Sequence, residues 1–179
     1  LSVGDINGDG KNEVLILSPY YLYAYAWKNG NRLEELDKYQ IPATMRPVLV
    51  RFFKDQGGRH IILTGHNENE REAYSQVLAF QNGKFKVVVK SVNRYMTVVD
   101  LPPLYAPALI GQDSDRSAAV GGPVYEAQVS GGRVLRHGKV ANLPKEATVF
   151  NFSWIPGEKG KPVAAMLSNL TECILKMVK

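Results

Sequence analysis

Val77-Leu78-Ala79-Phe80-Gln81-Asn82-Gly83-Lys84-Phe85-Lys86 decides the fold. An apolar run rich in strand-forming residues meets Asn-Gly, the pair best suited to a tight hairpin whose two central residues need positive φ, and an alternating run leaves on the far side. The same arrangement occurs twice more. Leu22-Tyr23-Ala24-Tyr25-Ala26-Trp27 is followed by Asn29-Gly30, and Val124-Tyr125-Glu126-Ala127-Gln128-Val129 by Gly131-Gly132. The runs that leave these turns, Asn31-Arg32-Leu33, Lys84-Phe85-Lys86 and Arg133-Val134-Leu135, are also alike, and the turns lie about 50 residues apart. Such spacing is an internal repeat. Helical periodicity is almost absent elsewhere, so the chain reads as all-β.

The repeat extends upstream of each hairpin. Gly8-Asp9-Gly10-Lys11, Gln56-Gly57-Gly58-Arg59, Asp113-Ser114-Asp115-Arg116 and the stretch 156–161 each precede a short apolar run, at 13–17, 60–64, 117–121 and 162–168. Each unit reads as strand, polar loop, strand, turn, aromatic-rich strand, Gly hairpin and strand, with prolines in the links (Pro42, Pro102-Pro103, Pro144). Four antiparallel strands repeating every 40 to 55 residues, by about the spacing of propeller arrays, predict a β-propeller of four-stranded blades rather than a sandwich. The expected blades are 1–43, 44–101, 102–146 and 147–179 of a single propeller over residues 1–179. The first strand looks clipped at Leu1 and the last unit holds three strands. Part of a larger ring is therefore expected, with the closing strand supplied by missing blades or a second copy.

Composition narrows the function classes. The chain has 179 residues, 45% hydrophobic and 22% charged, which excludes disorder, collagen and coiled coil. No apolar run approaches the roughly 18 residues of a membrane-spanning helix, so no membrane span is expected. The net charge of +5 comes from cations sprinkled singly, such as Lys28, Arg32, Lys54 and Lys139, and not from a cluster. Nucleic-acid binding is accordingly not expected, because phosphate readers need concentrated charge. Cys173 is alone and permits no internal disulfide; it reads as a buried thiol.

One motif carries chemistry: Asp5-Ile6-Asn7-Gly8-Asp9-Gly10-Lys11-Asn12-Glu13. Oxygen side chains fall at positions 1, 3, 5 and 9 with Gly at 6. A tight loop can therefore aim Asp5, Asn7, Asp9 and Glu13, with the Lys11 carbonyl, at one hard cation, and Ca²⁺ is the expected one. An EF-hand would need a bidentate Glu at position 12, where Ile16 stands inside an apolar run. The order of strand, Asp-x-Asn-Gly-Asp-Gly-x-x-Glu and the apolar Val14-Leu15-Ile16-Leu17 resembles the FG-GAP (VCBS-type) repeat, the blade of integrin α-chain propellers and of many secreted bacterial proteins. That resemblance implies a calcium loop between the first two strands of a blade. The corresponding stretches Lys54-Asp55-Gln56-Gly57-Gly58, Gln112-Asp113-Ser114-Asp115 and Gly157-Glu158-Lys159-Gly160 lack the full ligand set, and no metal is expected there.

No catalytic residues are identified. His60, His66 and His137 are not spaced as a metal pair, and neither a Gly-x-Ser-x-Gly elbow nor a phosphate-binding loop occurs. Tyr20, Tyr21, Tyr23, Tyr25 and Trp27 allow a sugar-stacking platform but read better as packing between blades. The sequons at Asn151 and Asn169 lie in expected strands and read as chance. Open calcium loops suit millimolar calcium, which points to an extracytoplasmic home, whether secreted, periplasmic or cell-surface. The reading is a non-enzymatic binding module for an unknown protein or carbohydrate ligand. Its alternatives are a propeller enzyme acting on a saccharide or other polymer and a binder of anionic polymers.

Overall fold

The computed structural model describes residues 1–29, 32–68, 72–115, 119–156, 162–167 and 175–178, with the backbone alone at 119, 164–167 and 175–178. Gly30, Arg116, Gly157 to Gly160, the sequon at Asn169 and Cys173 lie outside them. The described residues form strands and no helix. The first sheet holds β1 (Ser2–Gly4), β2 (Glu13–Leu17), β3 (Tyr21–Lys28) and β4 (Arg32–Gln40). The second holds β5 (Met45–Asp55), β6 (Gly58–Asn67), β7 (Ala73–Gln81) and β8 (Lys84–Val92). The third holds β9 (Arg94–Leu101), β10 (Ala106–Asp115), β11 (Ala119–Ser130) and β12 (Arg133–Lys139), and a fourth holds β13 (Phe152–Pro156), β14 (Pro162–Leu167) and β15 (Leu175–Val178). Strands follow chain order in every sheet and all pair antiparallel. The chain is all-β, and its described residues form antiparallel sheets of four strands with a fourth of three.

The three sequence hairpins all join a third strand to a fourth. Asn82 and Gly83 have φ of 53° and 75°, and Gly131 and Gly132 have 57° and 72°, the paired positive values of a tight turn that matches strand twist. Asn29, at φ 46°, opens the equivalent turn of the first sheet.

The third sheet departs from the expected register. Asp113, Ser114 and Asp115 do not form a loop ahead of a second strand; they end β10 and pair with Gly121, Val120 and Ala119 of β11. Their half-exposed side chains stay wet at the sheet margin, so backbone pairing runs on through a polar stretch without a desolvation cost. Pro102-Pro103 lies in the turn between β9 and β10, and Asn93 alone separates β8 from β9. The third sheet thus starts at Arg94, upstream of the boundary expected at residue 102.

The sheets stack in series, with β1 against β5, β5 against β9 and β9 against β13. Alternate residues of the second sheet serve its two sides. Ile61 and Leu78 pack with Leu15, Leu22 and Ala24 of the first sheet, while Ile62 and Val77 pack with Met96, Leu109 and Tyr125 of the third. Consecutive burial along β6 and β7 is the mark of a sheet covered on both faces. Single polar bonds pin the joints. Phe52 N donates to Ser2 Oγ (2.9 Å), Thr64 Oγ1 to the Met96 carbonyl (2.7 Å) and Ser75 Oγ to the Arg94 carbonyl (2.6 Å). On the outer strands Asp37 of β4 accepts from Lys84 Nζ (2.8 Å) and Phe85 N (2.9 Å) of β8.

Two outcomes follow from these joints. A Cβ at Gly65 would overlap the Arg46 carbonyl of the paired strand, whereas one at Gly138 meets nothing. Gly65→Ala should cost about 1–3 kcal/mol in denaturant unfolding and Gly138→Ala close to none. Burial raises the Asp37 carboxyl, but the Lys84 ammonium and the Phe85 N–H outweigh it and hold it below its ordinary value. A depressed carboxyl contributes stability above its ordinary value and loses it as pH falls through the folded one. Asp37→Asn should therefore cost roughly 1 kcal/mol at neutral pH, and the gap from the unaltered protein should narrow in melts as pH falls below the ordinary carboxylate value.

Candidate metal loop

Residues 5–12 join β1 to β2 on the side of the first sheet nearest β6. Gly8 (φ 88°) and Gly10 (φ 83°) take conformations that L side chains rarely adopt, which coils the loop. Between them short side chains tie down backbone donors. Gly8 N donates to Asp5 Oδ1 (2.6 Å), Asp9 N to Asn7 Oδ1 (2.8 Å) and Lys11 N to Asp9 Oδ1 (2.8 Å). Ile6, only 1% exposed, anchors the loop in the apolar layer between the first two sheets.

Glu13 closes the loop from below. It opens β2 on the face that meets the second sheet and is 2% exposed, with Oε2 accepting from Ile6 N (3.0 Å) and Oε1 from Asn7 Nδ2 (3.1 Å). Burial pushes its carboxyl above the ordinary value against the pull of the Ile6 N–H, and the Asp9 and Asp5 charges push it further. Asp5 moves the other way. Burial raises it, but the Gly8 N–H and Arg59 outweigh burial and hold it below the ordinary carboxylate value.

Arg59 is the loop residue that sequence reasoning missed. It stands near the start of β6, and its Nη2 donates to Asp5 Oδ2 at 3.2 Å. Gly8 makes room for it, since a Cβ there would lie 3.0 Å from Arg59 Nη1. Nothing local marks this role, because 54 residues separate the partners and only sheet stacking joins them.

The structure thus connects Asp5, Asn7, Asp9, Lys11 and Glu13 into one hydrogen-bonded loop. Among the described residues no three His, Cys, Asp or Glu side chains gather closely enough to hold a metal. Both oxygens of Asp5 and of Glu13 already accept hydrogen bonds, while Asp9 Oδ2 accepts none of those described. A carboxylate has about four acceptor sites, so each keeps lone pairs for a cation. The donor set is all oxygen, the chemistry calcium prefers, but Asp5, Asp9 and Glu13 are held by their own hydrogen bonds and not gathered around one point.

The corresponding stretches carry different partners. Asp55 Oδ1 accepts from Gly57 N (2.8 Å) and lies 3.3 Å from Nε2 of the buried His60. Asp113 pairs with Arg94 and Arg136. His137, exposed on β12, meets Gln128 (3.2 Å). The aromatic run of β3 is divided between the two faces of the sheet. Leu22 and Ala24 pack against the second sheet, and Tyr21, Tyr23 and Tyr25 form a ladder on the opposite face, with successive centroids 5.9 and 6.1 Å apart. Period-two alternation forces that choice, since one face of β3 can meet only one neighbour.

No family model matches the chain, and no curated protein or solved structure matches it. The FG-GAP likeness rests on the residues Asp5 to Glu13 and on their place between two strands.

Glu13 offers a direct check on the loop. Glu13→Ala strands the buried Ile6 N–H and should cost about 1–3 kcal/mol, with Glu13→Gln losing less because one acceptor remains. The raised carboxyl sets the sign with pH. Ionising Glu13 opposes folding, so its own contribution weakens as pH rises from the ordinary carboxylate value through the folded one, and comparing Glu13→Gln melts at pH about 4 and 7 reads it.

Proposed function

We propose that the chain is a non-enzymatic binding module of the FG-GAP/VCBS propeller type, exported from the cytoplasm, with Ca²⁺ held in the first loop as a clip. The sheets are its blades. Supporting this are the shared strand order, the hairpins at one position of three sheets, and the serial contact of first strands. Asp5, Asn7, Asp9, the Lys11 carbonyl and Glu13 would hold the metal. Calcium would supply charge to offset three carboxylates around one turn. Arg59 supplies part of that charge and ties the loop to the second sheet, so a filled loop would stiffen the joint between the first two blades.

The observation that carries the binding role is the free face of the first sheet. Tyr21, Tyr23 and Tyr25 share it with Val14 and Ile16, which pair with Tyr25 and Tyr23 across the strands. Lys38 Nζ lies 5.3 Å over the Tyr21 ring and Tyr25 Oη is 3.4 Å from Glu35. Rings with apolar bodies and polar tips suit an interface that is dry at its centre and wet at its rim. The occupant is a β-sheet of a second copy of the chain.

Calcium should raise the melting temperature, by about 2.7 kcal/mol of stability at a hundredfold excess over the dissociation constant, and Asp9→Ala should abolish the rise. No calorimetric binding at millimolar calcium would overturn the clip. With the chain alone, a second copy is the available occupant. Sedimentation velocity should then show concentration-dependent association that Tyr23→Asp suppresses, and a monomer at every concentration would overturn the role of this face.

A further inference from the structure

Arg94 of β9 and the arginines Arg133 and Arg136 of β12 come together where β8 of the second sheet meets the third sheet. Arg94 Nε donates to Asp113 Oδ1 at 3.1 Å and Arg136 Nη1 to Asp113 Oδ2 at 3.3 Å, so one carboxylate spans two guanidinium groups. Both also lie against the ring of Tyr125, at 4.1 Å for Arg136 and 5.7 Å for Arg94 from its centroid. Tyr125 is fully buried, and burial pushes its phenol up to about 12. It is a neutral, fixed platform. Arg133 stands exposed at the head of β12 and makes no ion pair among the described residues. Beside this stack is a cavity of about 700 Å³ whose polar lining is Ser91, Asn93, Arg94, Asp113, Ser114 and Arg133.

Charge decides what fits there. Two guanidinium groups, of Arg94 and Arg133, line the cleft against the single Asp113 carboxylate, and Arg136, paired with Asp113 outside that lining, adds to the local excess of positive charge. The donor count points the same way. Each guanidinium has five N–H donors, and the contacts with Asp113 use one of Arg94 and one of Arg136. Stacking on Tyr125 and pairing with Asp113 hold two of the cations in place before any ligand arrives, which lowers the ordering cost of binding. The planar fork of arginine matches the two oxygens of a carboxylate or phosphate. The groove is open to solvent and larger than a bare ion, so it would take the oxyanion group and leave the rest of its carrier in water.

We infer that the cleft between β8 and the third sheet binds an oxyanion group carried by a small molecule or by one residue of a polymer, with Arg133 and the free edge of Arg94 as its donors. The site is separate from the calcium loop and does not depend on it. Carboxylate and phosphate share this chemistry, and the probes distinguish them.

The test is calorimetric titration of the whole chain at low salt with glucuronate and, separately, with glucose 6-phosphate. Saturable binding of either at concentrations up to about 10 mM is expected, and the better probe names the group. Arg133→Gln should weaken it about tenfold without changing the melting temperature, because the Arg133 side chain has no ion-pair partner among the described residues. Lys28→Gln removes a remote exposed charge and should change affinity less than about twofold. Failure of both probes to saturate would overturn the inference. Equal weakening by the two substitutions would also overturn it, since that is diffuse attraction to a +5 surface.

Discussion

Ile61, Ile62 and Leu63 are adjacent in sequence and all are 1% exposed or less. Neighbouring residues of a strand point to opposite faces, so this triplet demands a layer on each side of the second sheet. Everything else depends on that demand. The first sheet covers Ile61 with Leu15, Leu22 and Ala24, and the third covers Ile62 with Met96, Leu109 and Tyr125. A single four-stranded sheet with such a strand would leave a large apolar face in water, and stacking in series is the arrangement that removes it.

Polar groups inside this stack are few and placed at the joints. Thr64 and Ser75 are fully buried, yet each hydroxyl donates to a backbone carbonyl of β9, and Ser75 Oγ also lies 3.1 Å from Thr64 Oγ1. Apolar contact between flat sheets fixes their separation but tolerates sliding; a buried hydroxyl that must find one carbonyl does not. Glu13 acts similarly at the first joint. Its carboxylate holds the Ile6 N–H, so the loop of residues 5–12 is secured from the core side whatever its outer face meets.

Both candidate sites arise where pairing and stacking bring together charges distant in sequence. Arg59 reaches Asp5 from the second sheet, and Asp113 collects Arg94 and Arg136 within the third, beside a cavity that β8 walls. The cations read as singly sprinkled along the chain, and in sequence they are. Antiparallel pairing sets Arg94 opposite Asp113 and Ala127 opposite Arg136, which turns wide sequence separation into one cleft.

Local chemistry determined what depends on neighbours in sequence. Asn82-Gly83 and Gly131-Gly132 take positive φ at little cost, so between alternating runs they mark hairpins, and the all-β class was legible from the chain. Asp5, Asn7 and Asp9 at two-residue spacing likewise specify a coiled polar loop. The third sheet's register was not legible, because Asp113 to Asp115 look like a loop and become strand only when β11 offers a ladder. The direction of the Tyr21, Tyr23 and Tyr25 ladder, the partnership of Arg59 with Asp5 and the gathering of arginines around Tyr125 were decided by tertiary structure alone. Alternation says that a strand has two faces; which face meets the next sheet is settled by the free energy of burying Leu22 and Ala24 against a surface that the local sequence does not contain.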